Sequence, residues 1–217
     1  MTDLNMEKTI YFVRHGQSKD NIAPVFQAQD SPLSEAGRGQ AKRIAERVKK
    51  LSFETLISSP LPRSKETVEA IAKATGKTVE YSNLFVERIK PTSISGKSYD
   101  DKEANRLWKE WEKSLYTSGM RAEDGENFDD LIERADRALD FLKNRPEEEL
   151  VVVTHGFFLR TIIIRVLLGK SLTEENFKNF KSRAIMENTG LSAIKYTKGW
   201  EEMEWRLWIY NDHAHLG

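Results

Sequence analysis

A chain of 217 residues with an ordinary apolar share can bury a real core and suits one domain with room for an insertion. Its 34 basic and 34 acidic residues cancel, so no global field draws it to nucleic acid or an anionic membrane, and anion binding has to arise from local clustering. The absence of cysteine excludes a disulfide scaffold, a thiolate nucleophile and cysteine-ligated zinc or iron–sulfur centres.

Short β-branched runs alternate with longer helical ones, which predicts an α/β sheet covered by helices. TIYFV (9–13) reads as a buried strand. SEAGRGQAKRIAERVKKL (34–51) reads as a helix capped by Ser34, with Ala41, Ile44, Ala45 and Val48 on one face. FETLISS (53–59) is a second strand, and PLPRSKETVEAIAKATG (60–76) a helix with Pro60 near its start and Gly76 past its end. TVEYS (78–82) is a third, short strand. Residues 88–125 break the rhythm and read as a lid-like insertion with one helix, carrying Trp108 and Trp111. Helical periodicity returns in NFDDLIERADRALDFLKN (127–144). ELVVVT (149–154) is a fully buried strand, followed by a mostly buried helix, FFLRTIIIRVLL (157–168). GLSAIKY (190–196) and EMEWRLWIY (202–210) alternate as half-exposed strands toward one edge do.

Two buried strands deliver a histidine followed by glycine: V-R-H-G at 13–16 and V-T-H-G at 153–156. In open α/β sheets ligands sit at the carboxyl ends of strands, so His15 and His155 face one crevice if their strands are neighbours. Gly156 also opens a helix whose free amides favour an anion. A lone histidine there is usually only a satisfied polar residue; two in the same setting, among four in the chain, point to a site. Metal ligation is disfavoured, because Arg14 would repel a cation and a catalytic zinc wants three protein ligands. The remaining histidines, His213 and His215, read as a loose tail. Arginine suits an anion instead, and Arg63, in the first turn of a helix after a strand, falls at the same edge.

RHGQSKDN (14–21), SPLSEAGRGQA (31–41), SSPLPRSKET (58–67), the glutamate of LFVER (84–88), GENFDDLIERADRAL (125–139) and THGFFLR (154–160) resemble, in order, the motifs of the histidine phosphatase superfamily, the phosphoglycerate-mutase-like group. The resemblance implies a three-layer α/β/α sandwich with a mostly parallel central sheet. It implies His15 as nucleophile, with Arg14, Arg63 and His155 cradling the phosphate and His155 protonated beside the dianion. Glu87 matches the acid that protonates the leaving oxygen and then activates water; an ion pair with Arg88 is the structural alternative. Gln17 and Asn21 match positions beside the phosphate, either donating to it or holding the loop, and Asn188 matches a late position of the same kind.

Mutases of the group continue R-H-G-x-S with W-N and place E-R-H-Y-G at the acid, whereas here S-K-D-N and E-R-I-K-P stand. The expectation is therefore a metal-independent phosphatase acting on a small phosphorylated substrate, without cofactor. The alternatives are phosphoglycerate-mutase-type transfer and a non-catalytic phospho-ligand-binding protein. Arg88, Lys90, Lys97 and Arg121 are candidate charges for a second anionic group. MTDLNMEKTIYFV lacks a signal peptide's apolar run, and TIIIRVLLG, interrupted by Arg165, is too short to span a bilayer. A cytoplasmic protein, monomer or homodimer, without nucleic-acid or membrane partner, is the expectation.

Overall fold

The computed structural model describes residues 6–200 and 203–217. Its strands are β1 (Glu7–Arg14), β2 (Thr55–Ser58), β3 (Val79–Tyr81), β4 (Glu149–Thr154), β5 (Leu191–Thr197) and β6 (Trp205–Asp212). They form one sheet in the order β3-β2-β4-β1-β5-β6, with β1 parallel to β4, β4 to β2 and β2 to β3, and β5 antiparallel to both its neighbours. Its helices are α1 (Glu35–Val48), α2 (Pro62–Thr75), α3 (Lys102–Lys113), α4 (Phe128–Lys143), α5 (Gly156–Leu168) and α6 (Glu174–Arg183).

The middles of the central strands, Ile10–Val13 of β1 and Leu150–Val153 of β4, are apolar on every residue because both faces are covered. Ile10, Phe12, Leu150 and Val152 point into one core with Leu131 and Ala135 of α4 and Phe158 and Ile162 of α5. Tyr11, Val13, Val151 and Val153 point into a second core with Ile44 and Val48 of α1 and Val68 and Ile71 of α2. This is the expected α/β/α sandwich. Strand β5 departs from the half-exposed reading, since six of its seven residues are buried: it lies inside the sheet between β1 and β6.

Local chemistry sets the helix ends. Ser34 caps α1, its hydroxyl accepting from Gly37 N, and Asn127 and Asp130 form a reciprocal capping box on α4. Helix α2 starts later than expected: Leu61 is its cap and Pro62, not Pro60, sits in its first turn. Gly76 ends it with φ 72°, a left-handed conformation that costs glycine little. Helix α6, capped by Thr173, had no sequence counterpart; its run EENFKNFKSR buries only Phe177, too thin an apolar stripe to show as periodicity.

Segment 88–125 holds α3 as its one α-helix and builds a small core of its own. Ile94, Ala104, Leu107, Trp111 and Ala122 close on Phe26 from the loop after β1. Backbone bonds stitch the two together, Phe26 N donating to Lys97 O at 2.9 Å and Gly96 N to Phe26 O at 2.8 Å. Arg88 anchors α3: its guanidinium lies 3.6 Å from the Trp111 ring centroid and donates to Trp111 O at 2.6 Å and Glu112 at 2.9 Å. It therefore points away from the sheet edge, and Arg121 is paired with Asp130 at 2.7 Å, so neither offers a free charge for a second anion.

Because β1, β2 and β4 are parallel and in register, Arg14 lies beside Thr154 and Ser58 beside Val153, and all three chains leave the sheet at one edge. The turn after β1 presses on α1: a Cβ on Gly37 would lie 2.0 Å from Gln17 O, one on Gly16 2.6 Å from Gly37 O, and one on Gly39 would meet nothing within 4 Å. Gly37→Ala should thus lower the urea unfolding midpoint by the equivalent of about 1–3 kcal/mol. Gly39→Ala, one position pair further along the same helix, should raise stability by about 0.5–1 kcal/mol. Equal effects would contradict the packing described.

Candidate active site

His15 follows β1 and is 1% exposed, its amide donating to Thr154 O at 2.9 Å. Nδ1 lies 2.7 Å from Gly16 O, a group that only accepts, so Nδ1 carries the proton and Nε2 presents a lone pair. Gly16 N in turn donates to Thr67 Oγ1 at 3.0 Å, tying the turn to α2. His155 follows β4, is fully buried, and its ring centroid sits 4.9 Å from that of His15. Its Nε2 is 2.8 Å from Ser59 Oγ and 3.2 Å from Ser64 Oγ, while Nδ1 is buried without a partner.

Arg14 and Arg63 complete the cluster. Arg14 donates to Met186 O and Arg63 to Gln29 O at 3.2 Å, and the Nε of each is buried and unpaired. A Cβ on Gly156 would come 2.9 Å from Arg14 Nε, so the glycine of T-H-G makes room for the guanidinium. Burial drives both histidines well below the ordinary imidazole range, and the two arginines push the same way. Burial also brings Arg63 down to about 10. The free site is a positive pocket with neutral imidazoles and orphaned polar atoms, which is what a phosphate dianion would complete. His155 in the free protein is accordingly not the protonated residue expected beside a bound phosphate.

Glu87 sits at the entrance of α5. Its carboxylate accepts from Arg88 N and Phe158 N, both at 2.9 Å, and from Phe157 N at 3.2 Å. Those amides are the ones assigned to an external anion from Gly156, so here the helix terminus holds an internal carboxylate. Glu87 does not pair with Arg88. It lines two cavities, one of about 550 Å³ shared with Arg63 and Lys90, the other of about 320 Å³ shared with Arg14, Gly156 and Arg160.

The other sequence candidates hold the loop. Gln17 Oε1 accepts from Ser34 Oγ at 2.8 Å, and Asn21 Oδ1 accepts from Ser18 N at 2.9 Å within a capping box. Asn188 donates from Nδ2 to His15 O at 3.0 Å and so pins the candidate nucleophile's backbone. Beside it, Thr189 has φ 61°, strained for a β-branched residue, and its amide donates to Arg14 O at 3.0 Å. Thr189 Oγ1 donates to Asn188 O at 2.6 Å and therefore accepts from His215 Nε2 at 3.1 Å. The terminal DHAHLG is thus not loose but packed behind the site.

Sequence reasoning missed a second buried pair. Arg134 of α4 meets Glu126 with two bonds of 2.7 Å and donates to Val86 O at 2.8 Å and Leu84 O at 3.1 Å, holding the strand of chain that carries Glu87. An arginine on the apolar face of 127–144 was the available signal. Ser59 and Ser64 lay inside a quoted motif without being singled out. Among the described residues no group of three or more His, Asp or Glu side chains could hold a metal ion, and no helix is long and apolar enough to cross a membrane.

Comparison with known proteins gives the family and the fold. The family model of the histidine phosphatase superfamily (branch 1) matches residues 10–209, and the chain belongs to that family. It is 31% identical over 216 residues to a probable phosphoglycerate mutase GpmB of Photorhabdus laumondii, covering 95% of this chain and 94% of the relative. A GpmB of Escherichia coli is 27% identical over 215 residues, with the same coverage. Among solved structures, a mycobacterial glucosyl-3-phosphoglycerate phosphatase superposes with TM-score 0.71 at 24% identity, over 95% of this chain and all of that one. The α-ribazole phosphatase of Shigella flexneri gives 0.77 at 18%, over 94% and 96%. At such identities the two structures speak for the fold.

Two predictions follow from the buried charges. The unfolded chain takes up a proton at each histidine below about pH 6.5, whereas folded His15 and His155 do so only at lower pH. The unfolded state therefore binds more protons in this window, and stability is full above about 6.5 and falls as pH drops, by up to about 2.7 kcal/mol per pH unit for the pair. Urea midpoints from pH 7 to 5 should show this slope, and a His15→Asn, His155→Asn double variant should lose it. Removing one partner of the second buried pair, by Glu126→Gln or Arg134→Met, should cost about 3–5 kcal/mol in the same assay. A loss below 1 kcal/mol would show that Arg134 does not hold the Glu87 segment.

Proposed function

We propose that the protein is a phosphatase that hydrolyses a phosphomonoester through a phosphohistidine at His15. The observation that carries this reading is the His15 imidazole, fixed by Gly16 O with Nε2 free, in a cluster with the buried Arg63 and half-buried Arg14 guanidiniums. Nε2 attacks phosphorus, the ester P–O bond breaks, and Glu87, which takes up a proton beside the bound phosphate dianion, gives it to the leaving oxygen. Glu87, now a carboxylate, takes a proton from water; the water oxygen attacks phosphorus, the P–N bond breaks and neutral His15 returns. Arg14, Arg63 and His155 stabilise the charge spread over the transferred oxygens, which is most of the catalysis in phosphoryl transfer. The same cationic cluster repels a metal ion, so turnover without one is expected.

The GpmB relatives support a second reading, transfer between the hydroxyls of a phosphoglycerate. Hydrolysis is favoured because S-K-D-N and E-R-I-K-P replace the mutase patterns. With EDTA present the protein should still hydrolyse p-nitrophenyl phosphate. His15→Ala should lose at least a thousandfold in kcat, and Glu87→Gln should lose more on poor leaving groups than on p-nitrophenol. No turnover by the wild type would overturn the phosphatase reading. Interconversion of 2- and 3-phosphoglycerate faster than their hydrolysis would replace it with the mutase one.

A further inference from the structure

The larger cavity adjoins the candidate site at Glu87 and Arg63. Its volume, about 550 Å³, is in the range that takes a drug-sized ligand and leaves most of its space unused by a three-carbon acid. Leu61, Leu84, Val86 and Ile89 give it apolar walls, and Lys90 and Arg137 bring cations to the same space.

Lys90, half-buried, lacks what such a charge ordinarily has, a carboxylate partner, while Arg137 is an exposed cation on the same cavity. Lys90 Nζ donates to a neutral acceptor, the carbonyl of Gln27, and neither Lys90 nor Arg137 forms an ion pair among the described residues. Three other cations near the site have carboxylate partners: Arg88 and Lys181 share Glu112, and Arg134 holds Glu126. Burial, reinforced by Arg63, brings the Lys90 ammonium down to about 8 against the pull of Glu87 and Asp20, so the free site leaves this charge under-compensated.

Resting on the phosphatase reading, we propose that the substrate carries a second anionic group, a carboxylate or phosphate, on a leaving group larger than three carbons, and that Lys90 and Arg137 receive it. The apolar walls then take the carbon skeleton between the two anions. Lys90 follows Glu87 by three residues on the same loop, so the residue that binds the leaving group's charge and the residue that protonates its oxygen move together.

A matched series tests this: phenyl phosphate, 3- and 4-carboxyphenyl phosphate, and 4-(aminomethyl)phenyl phosphate as the cationic counterpart. In the wild type, kcat/KM for the better carboxylated ester should exceed that for phenyl phosphate by tenfold or more, and the cationic ester should be the poorest. Lys90→Met and Arg137→Met should each cut that ratio at least fivefold. Arg137 is exposed, so its variant keeps the test open if Lys90→Met folds poorly. Calorimetry with phenylphosphonate and 4-carboxyphenylphosphonate reads the same preference without turnover. Turnover with a ratio near one, or a ratio that survives both substitutions, overturns the inference and spares the phosphatase reading. Preference for the carboxylated phosphonate without hydrolysis of any ester supports the anion subsite and sinks the phosphatase reading alone.

Discussion

The structure turns on one electrostatic arrangement: two guanidiniums and two imidazoles gathered in a buried pocket at the carboxyl edge of the sheet. Such a concentration of positive charge is costly without water or an anion to compensate it. The protein meets part of that cost by keeping the imidazoles neutral and by giving each arginine a carbonyl: Met186 for Arg14, Ala28 and Gln29 for Arg63. The rest stays unmet, as orphaned atoms on Arg14, Arg63 and His155. A tetrahedral dianion would supply both the charge and the acceptors that are missing.

Much of the surrounding chain serves to keep those groups in place. Gly156 leaves space for Arg14, and the Gly16–Gly37 contact sets the R-H-G turn against α1. Asn188 and strained Thr189 grip the carbonyls of His15 and Arg14 from the other side, with His215 behind Thr189. Glu87 is placed by a different system, the N-terminus of α5 and the buried Arg134–Glu126 pair. Glu87 and His15 thus take different supports, though both meet at the start of α5, where Gly156 packs on Arg14. Segment 88–125 and the loop around Phe26 form one apolar unit, so a movement of either carries the other.

The sheet, its helices and the meeting of His15 with His155 were legible because they rest on local patterns: continuous apolar strands, a 3.6-residue period, caps at Ser34 and the turn glycine at Gly76. The histidine-phosphatase motifs carried the rest of the cradle. What was not legible depended on contacts distant in sequence. The apolar face of its helix marks Arg134 as inward-facing, but nothing local identifies the carboxylate eight residues before it as its partner, or shows that Arg88 leaves its neighbour Glu87 for Trp111. His215 reads as tail until Thr189, 26 residues earlier, is seen to accept a hydrogen bond from its Nε2. The apolar count of β5 looked half-exposed because alternation alone cannot tell an interior antiparallel strand from an edge one.

The central claim is that the cluster is held neutral at its imidazoles until an anion arrives. Nitrogen-15 spectra of the histidine side chains at pH 7, recorded with and without orthovanadate, test it most directly. Without the anion, His15 should be the neutral tautomer protonated at Nδ1 and His155 should be neutral; with it, His155 should gain a proton. A doubly protonated His155 in the free protein, or a His15 protonated at Nε2, would contradict the account.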